Sequence, residues 1–470
     1  MPRGSTSCRS NREIPKILQP SACRAAIYLR ARDDFYIVYG FDCIGPAMKI
    51  TSIKGFADIL PGEVEIWQFI EEKAREVFGV YNFSEIRIPI VEKTELFSRS
   101  LGETTDIVEK EMYTFTDQDA KESRLTLRPE GTAGVVRAYV ESEMYQVEPV
   151  RKLFYSGPMF RRERPQKGRQ RQFYQIGAEV LGRADALVDA ELLLLLSDFF
   201  RRIGLEGVTL ELNSLGCVQC RPAYREKLLA FLRERADRLC ENCRRRMERN
   251  PLRVLDCKEP SCIEATRDAP SILDYLCEAC REHFNIVQEL LRQSDVAYKL
   301  NPRMVRGLDY YCRTTFEWTS TQLGAQNAVA AGGRYDGLVA DLGGPPTPGV
   351  GFAMGMERLV LLLSMRELRQ APRPALFLVW VGDAGRAWAF PTAHRLRLRG
   401  VSVEMEGERK SLKSQMRRAD KLRARNVIIV GDEELGKGIA VLRDMDSKEQ
   451  RELRLEGLED ELVRRLEAPA

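Results

Sequence analysis

A chain of 470 residues, 44% hydrophobic and 30% charged, with a formal net charge of +4, has length for about three folded domains. No apolar run reaches the roughly 18–20 residues of a membrane span, and residues 1–47 lack the apolar core and cleavage site of a secretory signal. The only histidines are His283 and His394, neither in a nucleophile motif, which excludes His-rich metal centres and argues against a Ser-His-Asp site.

Residues 1–47 mix Arg, Ser and Cys with short apolar pieces and no clear period. They read as an appendage or a misassigned start, with Met48 the expected initiator. Over 61–78, Trp67, Ile70, Ala74 and Val77 recur at helical spacing, and Gly79 is the expected stop. Residues 86–91 read as a strand bent or ended by Pro89. A short strand at 125–127 opens onto Arg128-Pro129-Glu130-Gly131-Thr132 and a helix through Tyr145. Strands at 153–161 and 172–180 flank an arginine-loaded loop, and an apolar helix over 185–203 closes at Gly204. Residues 213–300 are helical, highly charged and cysteine-dense, and read as an insertion. Strands follow at 313–320 and 327–331, and a glycine-rich strand enters a helix over 349–363.

A Pro-containing linker at 369–374 precedes strand-like runs at 376–381, 401–404 and 427–430 that alternate with helices. That βαβ rhythm predicts a separate α/β domain with a largely parallel sheet. The body before it, with strands in antiparallel pairs, reads as α+β.

The segment 160–179 carries the most chemistry. Arginines crowd a loop whose returning strand bears Gln175 and Glu179. Guanidinium forks bind phosphate bidentately, and a buried carboxylate wants a donating or positive partner. The pattern suits a polyphosphate beside a cationic small molecule; a solvated basic hairpin is the bland alternative. Glu130 can bind an ammonium, or it can simply favour a helix N-terminus with Thr132 as cap. In 306–311, Gly307 permits close approach, Arg306 brings fixed charge, and Tyr310 and Tyr311 bring aromatic walls with polar tips. The stretch 331–337 reads as a glycine-flanked turn before a helix. The glycines of 349–359 form neither a Walker loop nor a convincing dinucleotide fingerprint, and Arg358 at the helix start can meet a terminal phosphate.

Together these segments resemble the class II aminoacyl-tRNA synthetases, the histidyl branch in particular, from Met48 to the C-terminus. The opening 53–61, Ile-Lys-Gly-Phe-Ala-Asp-Ile-Leu-Pro, is similar to that family's start. Residues 86–91 with Pro89, 160–179 and 349–359 fit the three class II motifs. Stretches 306–311 and 331–337 match the two histidine-specific signatures, and 410–421 matches a helical signature of the anticodon-binding domain. The resemblance implies an α+β class II catalytic domain with an antiparallel sheet and helices over 48–212 and 301–370. It also implies a helical Cys-rich insertion over 213–300 and a C-terminal α/β anticodon-binding domain over 374–470.

The resemblance further implies activation of L-histidine with ATP and Mg²⁺, transfer to tRNA(His), a homodimer built across the first motif, and a cytoplasmic location. Arg161 would clamp the α-phosphate and the histidine carboxylate, Glu163 would contact the ATP pocket, Arg169 would lie near the β/γ-phosphates, and Arg358 would hold the γ-phosphate. Glu130, Gly131 and Thr132, with Gln175, would hold the α-ammonium. Glu179 would accept from the imidazole, with Tyr310 and Tyr311 lining that pocket. Arg306 and Arg161 would be the catalytic residues, Arg306 stabilising charge during attack. The regulatory paralogue from histidine biosynthesis and a zinc-stabilised RNA-binding module are the alternatives. The intact arginines and residues 374–470 favour the ligase.

Twelve cysteines without an export signal read as thiols or metal ligands. Cys217-x2-Cys220, Cys240-x2-Cys243, Cys257-x4-Cys262 and Cys277-x2-Cys280 have zinc-knuckle spacing, enough ligands for two structural Zn²⁺ ions. Spacing alone leaves the pairing open, and reduced thiols without metal are the alternative.

Overall fold

A computed structural model describes residues 27–31, 34–38, 50–102, 105–117, 119–120, 123–166, 168–324, 327–364 and 373–466. The first unit, within residues 1–52, contains an antiparallel hairpin of Ile27–Ala31 and Asp34–Val38. The second unit runs from Ile53. The rest of 1–47 and most of the expected linker lie outside the described residues.

The second unit is built on an eight-stranded sheet. Its strands are β1 (Ser84–Glu85), β2 (Arg151–Phe160), β3 (Gln172–Leu181), β4 (Val208–Ser214), β5 (Tyr298–Leu300), β6 (Cys312–Ser320), β7 (Ala328–Arg334) and β8 (Gly349–Gly355), in the order β5-β4-β6-β7-β8-β3-β2-β1. The inner pairings are antiparallel; only the short edge strands β1 and β5 pair parallel.

Side chains alternate across this sheet, as strand geometry requires. Ile176, Ala178 and Val180 of β3, Phe316 and Trp318 of β6, and Val350, Phe352 and Met354 of β8 enter the main core. There they meet Trp67, Ile70 and Phe78 of α1 (Val64–Val80), Leu192, Leu196 and Phe199 of α2 (Ala186–Arg202), and Leu359 of the helix Met356–Ser364. The opposite face carries Gln175, Glu179 and Glu317, with Gly351, Ala353 and Gly355 leaving space between them. An added Cβ at Gly351 would stand 1.7 Å from Glu179 Oε2, so that register tolerates only glycine.

Three expectations need correction here. Residues 86–90 are not a strand. Pro89 donates nothing, and Arg128, 5% exposed, collects the carbonyls instead: Nη1 donates to Ile88 O at 2.7 Å and Nε to Pro158 O at 2.9 Å. Residues 331–334 continue β7 rather than forming a turn, because Gly332 and Gly333 pair with β6 and β8. The insertion expected over 213–300 includes parts of the main body. β4 runs to Ser214, β5 pairs with it, and the helix Glu278–Gln293 gives Phe284, Val287 and Leu291 to the main core.

The C-terminal sheet has the strands β9 (Leu376–Trp380), β10 (Val403–Met405), β11 (Asn426–Val430), β12 (Ile439–Asp444) and β13 (Gln450–Arg454), ordered β10-β9-β11-β12-β13. The first three strands pair parallel, but β12 and β13 add an antiparallel half, so the sheet is mixed rather than largely parallel. The helix Leu412–Lys421 starts at Ser411, whose side chain accepts from Ser414 N. Buried Gln415 ties that helix to β9 through both amide atoms, accepting from Trp380 N at 3.1 Å and donating to Trp380 O at 2.7 Å.

Candidate active site

A cavity of about 250 Å³ opens on the polar face of the eight-stranded sheet. Glu130, Thr132, Arg161, Glu163, Arg169, Gln175, Arg306, Tyr310, Tyr311 and Arg358, expected from four distant stretches of chain, all line it. Strands β3, β6, β7 and β8 supply the wall; the loop between β2 and β3 supplies Arg161 and Arg169, the loop before β6 supplies Arg306, and the helix after β8 supplies Arg358.

At one end, Glu130 accepts Thr132 N at 2.7 Å and Ala133 N at 2.8 Å through separate carboxylate oxygens. Burial lifts its pKa above the usual carboxylate range against these bonds and the charge of Arg161. Gln175 Oε1 is buried with no hydrogen-bond partner among the described residues. A cationic donor would satisfy both groups.

At the other end three guanidiniums converge. Arg161 donates through Nε to Pro129 O at 2.9 Å and lies 5.2 Å from the Phe173 ring centroid. Arg169 pairs with Glu163, and Arg358 donates to Ala328 O. Burial lowers the pKa of all three, and the neighbouring guanidiniums lower it further, despite nearby glutamates. Guanidinium stays charged in proteins, so this region holds three buried, closely spaced cations. Polyanion binding would offset their charge.

Between the two ends lies Arg306. It pairs with Glu317 through Nη1, sits 5.5 Å from the Tyr311 ring centroid, and keeps a buried Nε without a partner among the described residues. Burial lowers its pKa, but Glu317 and the tyrosines outweigh that, and the net shift is upward.

Two expected site residues stand elsewhere. Glu179 is fully buried behind the wall, with Thr132 Oγ1 donating to Oε1 at 2.6 Å and the Tyr335 hydroxyl to Oε2. Burial pushes its carboxyl up to about 8, against the two hydroxyl bonds and with the help of Glu130's charge. Gly131 does not line the cavity; an added Cβ would stand 2.2 Å from the Tyr155 ring, so packing fixes this glycine.

The Glu179 shift has a testable sign. A carboxyl whose folded pKa is raised contributes stability at low pH, and that contribution is lost as pH rises from about 4.5 to about 8. Glu179→Gln is expected to remove this part of the pH dependence. Urea midpoints of both proteins across that range would check it, and equal slopes would contradict it.

Sequence reasoning missed Tyr335, Glu317, Phe173 and Glu357. Glu317 was visible in the alternation with Trp318 along β6. Tyr335 follows two glycines that masked its role; its ring lies 5.6 Å from Tyr310 and 6.5 Å from Tyr311. His283 serves structure: Nε2 lies 2.7 Å from Asp189 Oδ2 in the buried network of Arg334. Burial works to raise Asp189, but His283 and Arg334 hold it below the usual range.

The eight paired cysteines gather into two clusters, Cys217/Cys220/Cys277/Cys280 and Cys240/Cys243/Cys257/Cys262. Among the described residues no helix is long and apolar enough to cross a membrane.

A family profile described as histidyl-tRNA synthetase matches residues 55–359, and one described as anticodon binding domain matches residues 381–465. The chain belongs to the histidyl-tRNA synthetase family. A histidine–tRNA ligase of Syntrophotalea carbinolica is 56% identical over 416 residues, 88% of this chain and 99% of that one. One of Geobacter metallireducens is 58% identical over 407 residues, 87% and 98% of the two chains. The solved structure of apo S. aureus histidyl-tRNA synthetase superposes with a TM-score of 0.75 at 34% identity, covering 88% of this chain and all of that one. The class II architecture expected of a histidyl-tRNA synthetase is therefore present, with catalytic and anticodon-binding domains.

Proposed function

We propose that the chain is a histidine–tRNA ligase, activating L-histidine with ATP to histidyl-adenylate and pyrophosphate and then charging the 3′ end of tRNA(His). One observation carries the reading: three buried, closely spaced arginines, Arg161, Arg169 and Arg358, share a cavity with the donor-seeking pair Glu130 and Gln175. ATP satisfies the first set and the histidine ammonium the second, which places the histidine carboxylate near Arg161 and Arg306.

The carboxylate oxygen attacks the α-phosphorus, an oxygen–phosphorus bond forms, and the bond to the departing pyrophosphate breaks. No protein nucleophile is needed, only alignment and cationic stabilisation. Arg161 bridges the carboxylate and the α-phosphate. Arg306, whose Nε has no partner among the described residues, takes the charge that grows on the α-phosphate oxygens. Arg169 and Arg358 hold the β- and γ-phosphates, and Glu163 orients Arg169 in the ATP pocket. Mg²⁺ would neutralise phosphate charge during attack, and the lining carboxylates Glu317 and Glu357, next to Arg306 and Arg358, would hold it.

Thr132 spends its proton on Glu179, which leaves its lone pairs for the ammonium. Glu179 acts from behind, fixing the hydroxyls of Thr132 and Tyr335, while Tyr310 and Tyr311 face the imidazole. A pocket of such polar groups would leave them unpaired with an apolar competitor, a penalty that can reach about 10⁴ in discrimination.

On the helix Leu412–Lys421, Lys413, Arg417 and Lys421 recur every fourth residue as an exposed stripe with no ion pair among the described residues, suited to tRNA phosphates. Exposed Ile90 and Val91 beside Pro89 give apolar surface for the homodimer face. A tRNA substrate suits the expected cytoplasmic location.

The test is ATP–pyrophosphate exchange across the standard amino acids. Stimulation by histidine alone is expected. Folded protein with Mg²⁺ and no exchange would overturn the ligase and favour a regulatory role.

A further inference from the structure

The two cysteine clusters are built alike. Cys240 and Cys277 are helix N-caps with nearly equal dihedrals, φ −62° with ψ 160° and φ −65° with ψ 163°. Three residues on, Cys243 and Cys280 bring a second thiol to the same helix end. Each N-cap amide donates to a sulfur of the opposing pair: Cys240 N to Cys262 Sγ at 3.1 Å, and Cys277 N to Cys220 Sγ at 3.1 Å.

In each cluster the four sulfurs lie within 4.8 Å of one another. The separations Cys217–Cys220, Cys217–Cys277 and Cys240–Cys257 are 3.7, 3.8 and 4.0 Å. A Zn–S bond of about 2.3 Å sets a tetrahedral edge of about 3.8 Å. The same distances are nearly twice the roughly 2.05 Å of a disulfide. All eight cysteines are free.

The surrounding protein explains the need for a staple. The module's own core is small: Tyr224, Leu228, Leu232, Leu239, Val254, Leu255, Ala265 and Ile272, completed by Cys243 and Cys262. Small cores of this kind are commonly held by metal. The Cys240 cluster also flanks a segment that reaches the catalytic loop. Between Cys243 and Cys257, Arg246 pairs with Asp106 at 2.7 Å, Asn250 Nδ2 donates to Asp309 Oδ1 at 3.2 Å, and Arg253 Nη1 donates to the Arg306 carbonyl at 2.7 Å.

We propose that the chain binds two structural Zn²⁺ ions, one at Cys217/Cys220/Cys277/Cys280 and one at Cys240/Cys243/Cys257/Cys262, and that the second braces the segment holding the Arg306 backbone. Neither ion touches substrate; the second acts by position. The metal count stands apart from the ligase reading, since failed histidine activation would leave it unchanged.

Elemental analysis of the full chain, purified without added metal, should find two zinc ions per chain. Cys217→Ser/Cys220→Ser and Cys240→Ser/Cys243→Ser should each retain one. A metal-free chain with eight reactive thiols, or iron in place of zinc, would overturn the proposal. Because a variant can fail to fold, Co²⁺ substitution of the unaltered chain gives a second reading. The visible bands of a tetrahedral tetrathiolate should saturate at two equivalents; saturation without them would refute the sites. For the brace, amide hydrogen exchange over 306–309 should rise in Cys240→Ser/Cys243→Ser and rise less in Cys217→Ser/Cys220→Ser, whose neighbour Arg221 donates to the Tyr311 carbonyl beyond that stretch. Equal effects of both variants would remove the link to Arg306.

Discussion

Arg306→Ala is expected to lower histidine-dependent ATP–pyrophosphate exchange by about 10²–10³-fold, the range seen when one preorganised charge-stabilising donor is lost. The loss should fall on kcat, because the buried Nε of Arg306 has no partner among the described residues and awaits charge that develops only during attack. The substitution strands Glu317, but that side chain is 26% exposed and can be hydrated, so unfolding is not the expected outcome. Arg306→Ala/Glu317→Gln controls for the orphaned carboxylate and should be equally slow if the cation itself is what matters. Arg306→Lys keeps charge without the planar fork and should fall between. Near-normal exchange by Arg306→Ala, with thermal unfolding unchanged, would remove this residue from the chemistry.

The arginine-bearing hairpin, the glycine strand and the tyrosine loop were legible because binding phosphate and an amino acid demands unusual residues at fixed places along strands. Period-two alternation then assigns Gln175 and Glu317 to one face and Phe316 and Trp318 to the other. Depth was not legible. Glu179 and Gln175 share a face, yet the first is covered by Thr132 and Tyr335, which come from elsewhere in the chain, while the second faces the cavity.

Long-range capture was equally hidden. Nothing local says that Arg128 will take the carbonyl of Ile88 and replace strand pairing there. The β13 strand, Gln-Arg-Glu-Leu-Arg, buries only Leu453 and lies at a sheet edge, so it carries no apolar pattern to read. The cysteine pairing needed the fold as well: 217–220 meets 277–280 because the helix Glu278–Gln293 returns to the main core, leaving 240–243 to meet 257–262.

Glu130→Gln tests the other end of the cavity. The wild-type carboxylate uses one lone pair on each oxygen for the amides of Thr132 and Ala133 and keeps the others for substrate. The amide variant keeps one acceptor and the shape but loses the charge opposite an ammonium. A hydrogen bond to a charged group is worth about 1.5–3 kcal/mol, which predicts a rise of roughly 10- to 150-fold in KM for histidine. KM for ATP should change little, since the arginines that hold the phosphates are untouched. The pH dependence follows from the raised pKa of Glu130. Only the ionised form pairs with an ammonium, so histidine affinity should fall as pH drops through that pKa, which burial sets above the usual carboxylate value. The variant should lack this component. Histidine's own imidazole titrates near 6.5, but it does so equally for both proteins and cancels in the ratio of their KM values. A ratio that stays flat with pH, or a KM for histidine within about twofold of wild type, would mean that Glu130 serves only as the cap of the helix that begins at Thr132.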